Sequence, residues 1–160
     1  MTTTFIQKII YVEPKYVDKN IKSYISEKIK TDFMGKCFAK EGLILKIYDK
    51  LQILDNTIST AGNFIIFNVS FKAKMFKPEK GEDYTGTVCM IFQNGIFAEI
   101  LNRIKVFIPL DKLKKYQYDK NLNVFKNGDK IIKKGDDIKF TIQLIKYEKQ
   151  NFNCIASLKT

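Results

Sequence analysis

Apolar positions along the chain fall into short alternating or continuous stretches, with one helical interruption. Phe5 to Val12 is apolar and β-branched, and Pro14 stops it. Val17, Ile21, Tyr24, Ile25 and Ile29 then recur at helical spacing with lysines between them, which predicts a helix over 18–31 with Asp18 as its N-cap and Gly35 as its breaker. From Gly35 the period changes again. Strands are predicted at 36–40, 43–54, 57–60 and 64–76, separated by turns at Glu41-Gly42, Asp55-Asn56 and Ala61-Gly62-Asn63. A polar segment with both Pro and Gly, Lys77-Pro78-Glu79-Lys80-Gly81-Glu82, divides the chain into domains 1–80 and 81–160. Beyond it, 83–92, 95–100, 105–108, 130–132, 137–147 and 152–158 are β-like, and Leu110 to Lys120 is assigned to a short helix or turn. So many short strands in half the chain predict a small closed barrel. The fold class is α+β, mostly β.

Charge adds a partner class. Lys and Arg number 28 against 17 Asp and Glu, a net +11 shared by both halves. Such a chain attracts polyanions, nucleic acid foremost. The sole arginine is Arg103, and lysine gives attraction without planar base readout, so sequence-specific reading of duplex DNA is disfavoured. The abundance of Lys, Ile and Asn also fits an A/T-rich genome.

Absences narrow the chemistry. The chain has no histidine, which removes Ser-His-Asp and Cys-His catalysis and histidine metal sites. Cys37, Cys89 and Cys154 are widely dispersed and form no Cys-x-x-Cys pair, the usage expected of buried, reduced thiols in an intracellular protein. Asp136-Asp137 has no third carboxylate nearby in sequence and is read as a turn and strand entry. No apolar run approaches the roughly 20 residues of a membrane span. No catalytic residue, metal or cofactor is expected.

Gly86-Thr87-Val88, then Gly95-Ile96-Phe97-Ala98-Glu99 and Val106-Phe107-Ile108-Pro109, with Gly135-Asp136 later, resemble the S-one type OB-fold repeat. Asn94 stands where that pattern often carries an aromatic, and Phe107 stands at its common histidine. Val12-Glu13-Pro14-Lys15-Tyr16, a helix, Gly35-Lys36-Cys37, Gly42-Leu43-Ile44 and Phe76-Lys77-Pro78-Glu79-Lys80-Gly81-Glu82 precede the repeat in fixed order. Together the two halves are similar to the larger stalk subunit of multisubunit RNA polymerases of archaea, eukaryotes and large DNA viruses.

The resemblance implies an RNP-like α/β sandwich followed by a five-stranded OB barrel. It implies a non-catalytic subunit that docks through the tip of its first half near the polymerase clamp and contacts emerging single-stranded RNA with its second. Carried across, the docking surface includes Gly42, Leu54, Asp55, Asn56, Ile58 and Asn63. The RNA-facing surface includes Phe97, Lys105, Phe107, Lys112 and Lys114, whereas Phe92 is assigned to the core. Implied partners are the largest and second-largest polymerase subunits, a small helical stalk subunit and the nascent RNA, with no membrane. The compartment is that of the transcription machinery: the nucleus, or cytoplasm and virion if the polymerase is viral, toward which the A/T-rich, histidine-free chain leans. Two other readings stand beside it: a free-standing OB-fold RNA-binding protein of translation or RNA decay, and a carboxylate-dependent nuclease.

Overall fold

The computed structural model of the protein describes residues 1–59 and 61–159, in two compact units, 1–77 and 78–160. Thr60, the last residue of the predicted 57–60 strand, and Thr160, the last of the second predicted domain, lie outside the described residues.

The first unit is an antiparallel sheet of four strands, β1 (Thr2–Val12), β2 (Cys37–Phe38), β3 (Gly42–Ile58) and β4 (Ile65–Phe76), in the order β1-β4-β3-β2. One helix, α1 (Ile21–Phe33), covers one face. The strand pattern explains the layer: along β4, Phe67, Val69, Phe71, Ala73 and Met75 are buried, while the residues between them are only half-buried. Ile25 and Ile29, one helical turn apart on α1, close the core against them. The helix begins later than its pattern suggests. Asn20 is its N-cap, and Asp18 instead accepts the Asn20 N–H at 2.8 Å, building the turn that precedes the helix.

Two strand assignments change. Asp55-Asn56 is no turn, because β3 continues to Ile58 with Asp55 opposite Asn68 and Asn56 opposite Phe67. Pairing with a long neighbour overrides the local turn preference of these two residues, and a bulge between Ile53 and Asp55 absorbs the irregularity. The predicted 36–40 strand shrinks to Cys37–Phe38, since 39–41 form the turn into β3. That turn is tied to β1: Lys8 Nζ lies 2.8 Å from a Glu41 carboxylate oxygen and 4.6 Å from the Phe38 ring centroid.

The second unit is a closed barrel of β5 (Asp83–Phe92), β6 (Gly95–Ile100), β7 (Ile104–Pro109), β11 (Asp137–Glu148) and β12 (Asn151–Leu158). Neighbours run β11-β12-β7-β6-β5, and β5 pairs back onto β11. Among the described strands of the barrel, only β12 and β7 run parallel. A 3₁₀ turn at Leu110–Lys112 and a small sheet, β10-β9-β8 (Lys130–Ile132, Val124–Asn127, Gln117–Asp119), fill the β7-to-β11 connection. This sheet was not visible in the sequence beyond 130–132. Its strands are three or four residues long, and it is held by a Lys126–Asp119 ion pair of 2.8 Å and by Tyr118 packing on fully buried Phe125.

Candidate nucleic-acid interface

Alternation along β6 and β7 sorts two faces. Ile96, Ala98, Ile100, Ile104, Val106 and Ile108 point into the barrel and are buried, so Phe97, Glu99, Lys105 and Phe107 point outward. The register sets Phe97 opposite Phe107, with ring centroids 4.9 Å apart. Phe92, at the end of β5, joins them at 5.7 and 5.9 Å, nearly parallel to Phe107 at 7°. The assignment of Phe92 to the core is therefore corrected: all three rings are half-buried and form one outer cluster. Phe92 ends on the outside because its neighbour Ile91 takes the inward position at the β5–β6 turn.

Gly95 is what lets the cluster form. Its φ is +153°, and a Cβ there would fall against the Ile108 carbonyl oxygen and 2.9 Å from Phe107 Cε1. Any side chain would push the Phe107 ring away.

The row continues around the barrel. Phe107 pairs with Ile155 across the parallel β7–β12 contact, and Ile155 with Leu144 of β11, while Met90 lies opposite Phe97 on the other side. Met90, Ile155 and Leu144 are exposed. A bulge places Met90 in this row. Its extra residue is Cys89, whose Sγ–H donates to the Phe97 carbonyl at 3.3 Å. The neighbouring row is polar: Glu99 opposite Lys105, then Asn153, then Lys146. Between the two rows lies an open groove of about 480 Å³ floored by Cys154 and lined by Phe97, Phe107, Leu144, Ile155, Lys105 and Lys146.

The electrostatics of the groove are simple. Burial pushes the Cys154 thiol, which faces the barrel interior beneath the groove, up to about 11, so it is neutral at physiological pH. Burial raises the Cys89 thiol as well, with the Glu99 carboxylate adding to it. Glu148 accepts from Lys146 at 2.9 Å and holds that ammonium above its ordinary pKa, so Lys146 remains cationic. The surface thus combines flat π and alkyl faces with cations at one rim, a combination that takes an unpaired base on the ring face and its phosphate at the rim.

Of the predicted RNA-facing residues, Phe97, Lys105 and Phe107 come together. Lys112 lies in the 3₁₀ turn after β7 and Lys114 just beyond it at φ +57°, and neither lines the groove. The sequence reading missed Met90, Leu144, Lys146 and Ile155. Alternation of Ile155 with buried Cys154 and Ala156 was the available signal for that residue, whereas Leu144 shares the parity of buried Ile142 and turns outward only through the register shift between them.

The predicted docking residues divide. Leu54, Asp55, Asn56 and Ile58 are exposed at the far end of β3, in strand rather than loop, and Asn63 is exposed in the connection that follows. Ile58 is 76% exposed. Gly42 does not belong with them. It is buried at the opposite end of β3, sixteen residues and roughly 50 Å of extended strand away. Its φ is +91°, and a Cβ there would strike the Phe76 carbonyl, so Gly42 is a packing residue and offers no surface.

Among the described residues no three His, Cys, Asp or Glu side chains gather as a metal site. Asp136 accepts the Lys133 N–H at 3.0 Å and Asp137 accepts the Thr87 hydroxyl at 2.9 Å, so both serve the turn and the strand entry.

Residues 77–159 match the family model described as the S1 RNA binding domain. Curated relatives extend the similarity over the first unit. The chain is 24% identical to "DNA-directed RNA polymerase II subunit rpb7" of Dictyostelium discoideum over 159 residues, covering 96% of this chain and 92% of that one. It is 33% identical to "DNA-directed RNA polymerase II subunit RPB7" of Saccharomyces cerevisiae over 62% of this chain and 58% of that one. With "DNA-directed RNA polymerase III subunit RPC8" of the same yeast it shares 28% identity over 68% and 51% of the two chains.

Proposed function

The chain belongs to the S1 RNA-binding domain family, and from that premise we propose that it is the larger stalk subunit of a multisubunit DNA-directed RNA polymerase. The observation that carries this reading is the similarity to the rpb7 subunit across both units, because an S1 barrel alone is compatible with many RNA-binding proteins. In this reading the subunit is non-catalytic: nucleotidyl transfer needs metal-binding carboxylates, and these come from the largest polymerase subunit rather than from this chain.

In this reading the exposed end of β3, with Leu54, Asp55, Asn56, Ile58 and Asn63, is the part of the first unit that docks on the polymerase core. Its partners are the two largest subunits, with a smaller helical subunit completing the stalk. Docking brings the barrel to the emerging transcript. A base of single-stranded RNA stacks on Phe97 and Phe107, worth about 1–3 kcal/mol and tolerant of sequence because every base has a π face. Lys105 and Lys146 attract the adjoining phosphates, so binding is salt-dependent. Phe92 backs the two rings and fixes their tilt. The protein resides with the transcription machinery, in the nucleus for a cellular polymerase.

The test is copurification. A tagged chain isolated from its own source should bring the two largest polymerase subunits in near-equal amount. Ribosomal proteins or bare RNA in their place would overturn the assignment in favour of a free-standing RNA-binding protein.

A further inference from the structure

The apolar groove does not end at Lys105. A second pocket of about 310 Å³ shares Lys105 and Asn153 with it and continues to Arg103, Lys149 and Asn151. We propose that this pocket is a phosphate subsite for the same RNA strand whose base lies on Phe97 and Phe107. The proposal rests on the RNA reading of that face.

Topology brings the cations together. β7 and β12 are parallel neighbours, so the β6–β7 turn that opens one and the β11–β12 turn that opens the other lie at the same end of the barrel. The β11–β12 turn is a two-residue hairpin and the β6–β7 turn a three-residue one, and each carries two successive residues at positive φ: Leu101 and Asn102 at +54° and +56°, Lys149 and Gln150 at +53° and +60°. None of the four is glycine; Asn102 takes this conformation readily, whereas Leu101, Lys149 and Gln150 adopt it against their preference. Arg103 N–H bonds the Ile100 carbonyl at 3.1 Å, and the Asn151 side-chain amide donates to the Lys149 carbonyl at 3.1 Å. The turns are thus short and internally tied, and they hold Arg103 and Lys149 at the pocket.

Charge favours an anion there. Arg103, Lys105 and Lys149 line the pocket with one carboxylate, Glu148, which is already occupied by Lys146 at 2.9 Å, and Glu99 stands opposite Lys105 on the neighbouring strand, so the cations outnumber the free carboxylates. The chain's only arginine, the side chain best shaped for bidentate phosphate contact, stands at this position among 27 lysines. Phe107 and Lys105 lie two residues apart on β7, roughly 6.6 Å along the strand, and Arg103 stands in the turn that opens it, so the three follow one another along the line an extended single strand would take.

The test measures affinity of the full chain for a short oligouridylate across salt concentrations, with and without a 5′-phosphate, by fluorescence anisotropy. Arg103→Gln should make the slope of log affinity against log salt shallower by about 0.7, the loss of one neutralised phosphate, and Lys149→Gln should act in the same direction. Arg103→Lys, which keeps the charge, should retain the slope. An effect with both oligonucleotides identifies a backbone phosphate; an effect only with the phosphorylated one identifies a terminal phosphate in the same subsite. Unchanged slope in Arg103→Gln, with Phe97→Ala still weakening binding, overturns the subsite and leaves the ring face standing. If Phe97→Ala also has no effect, the RNA reading of the face fails, and the subsite with it.

Discussion

Replacing Gly95 by alanine tests whether the fold was shaped around the ring cluster. Two costs apply. The backbone at φ +153° lies in a region that L side chains rarely adopt, costing on the order of 1–3 kcal/mol. The added methyl also falls against the Ile108 carbonyl and 2.9 Å from Phe107 Cε1, closer than the 3.0 Å that real Cβ atoms respect. Neither neighbour yields cheaply, because Ile108 is fully buried and Phe107 is braced by two other rings. Overpacking of this kind costs about 1–3 kcal/mol. The expected destabilisation is therefore about 2–6 kcal/mol, with the Phe107 ring displaced. Gly135→Ala is the control. Gly135 sits in the same unit at φ +95° with nothing within 4 Å of an added Cβ, so it carries the backbone cost alone. Urea melts followed by circular dichroism compare the two. Gly95→Ala should have the lower midpoint, and any folded fraction should bind RNA more weakly than wild type. A Gly95→Ala variant as stable as Gly135→Ala would refute the claim that the glycine is required by the Phe107 packing.

Three other perturbations follow from the structure. Phe97→Ala should weaken binding of single-stranded RNA by about five- to 150-fold, the equivalent of about 1–3 kcal/mol, with little change in preference among sequences and an unchanged salt slope; anisotropy titrations read both. Ile58→Glu, at a position 76% exposed, should leave the unfolding free energy from urea melts within about 0.5 kcal/mol of wild type yet reduce copurification of polymerase subunits, and full recovery would remove Ile58 from the docking surface. The Cys154 thiol is raised from an ordinary 9.0 to about 11, so the folded state holds its proton more tightly than the unfolded chain. Its contribution is intact below pH 9 and is lost as pH rises toward 11. Urea melts of wild type and Cys154→Ala across that window should diverge, with the wild type falling more steeply; parallel curves would contradict the burial of the thiol.

What the sequence made legible was local. Alternation after the Gly95 turn set Phe97 opposite in facing to Ile96 and Ala98, the resemblance to the S-one repeat brought Lys105 and Phe107 to the same face, and helical spacing was enough to put Ile25 and Ile29 in the core. The rest of the site depends on pairings between distant segments. Leu144 and Ile155 reach the Phe107 row only through the parallel β7–β12 contact and a register shift between Ile142 and Leu144, neither of which has a local signature. Phe92 sits at the end of a strand whose bulge changes the outward parity, so counting alternate residues from Val88 gives the wrong side. Gly42 illustrates a converse error: the resemblance put the Glu41-Gly42 turn at an exposed tip, but close approach of the Phe76 carbonyl is what requires the glycine. Asp55 and Asn56 favour turns in isolation and lie in a strand because β4 offers eleven paired positions to β3.

The most direct measurement is native mass spectrometry of the tagged, full-length chain recovered from its own source. A stalk subunit predicts a complex containing the two largest RNA polymerase subunits with one copy of this chain. Recovery of the chain with RNA or ribosomal proteins, and with no polymerase subunit, would contradict it.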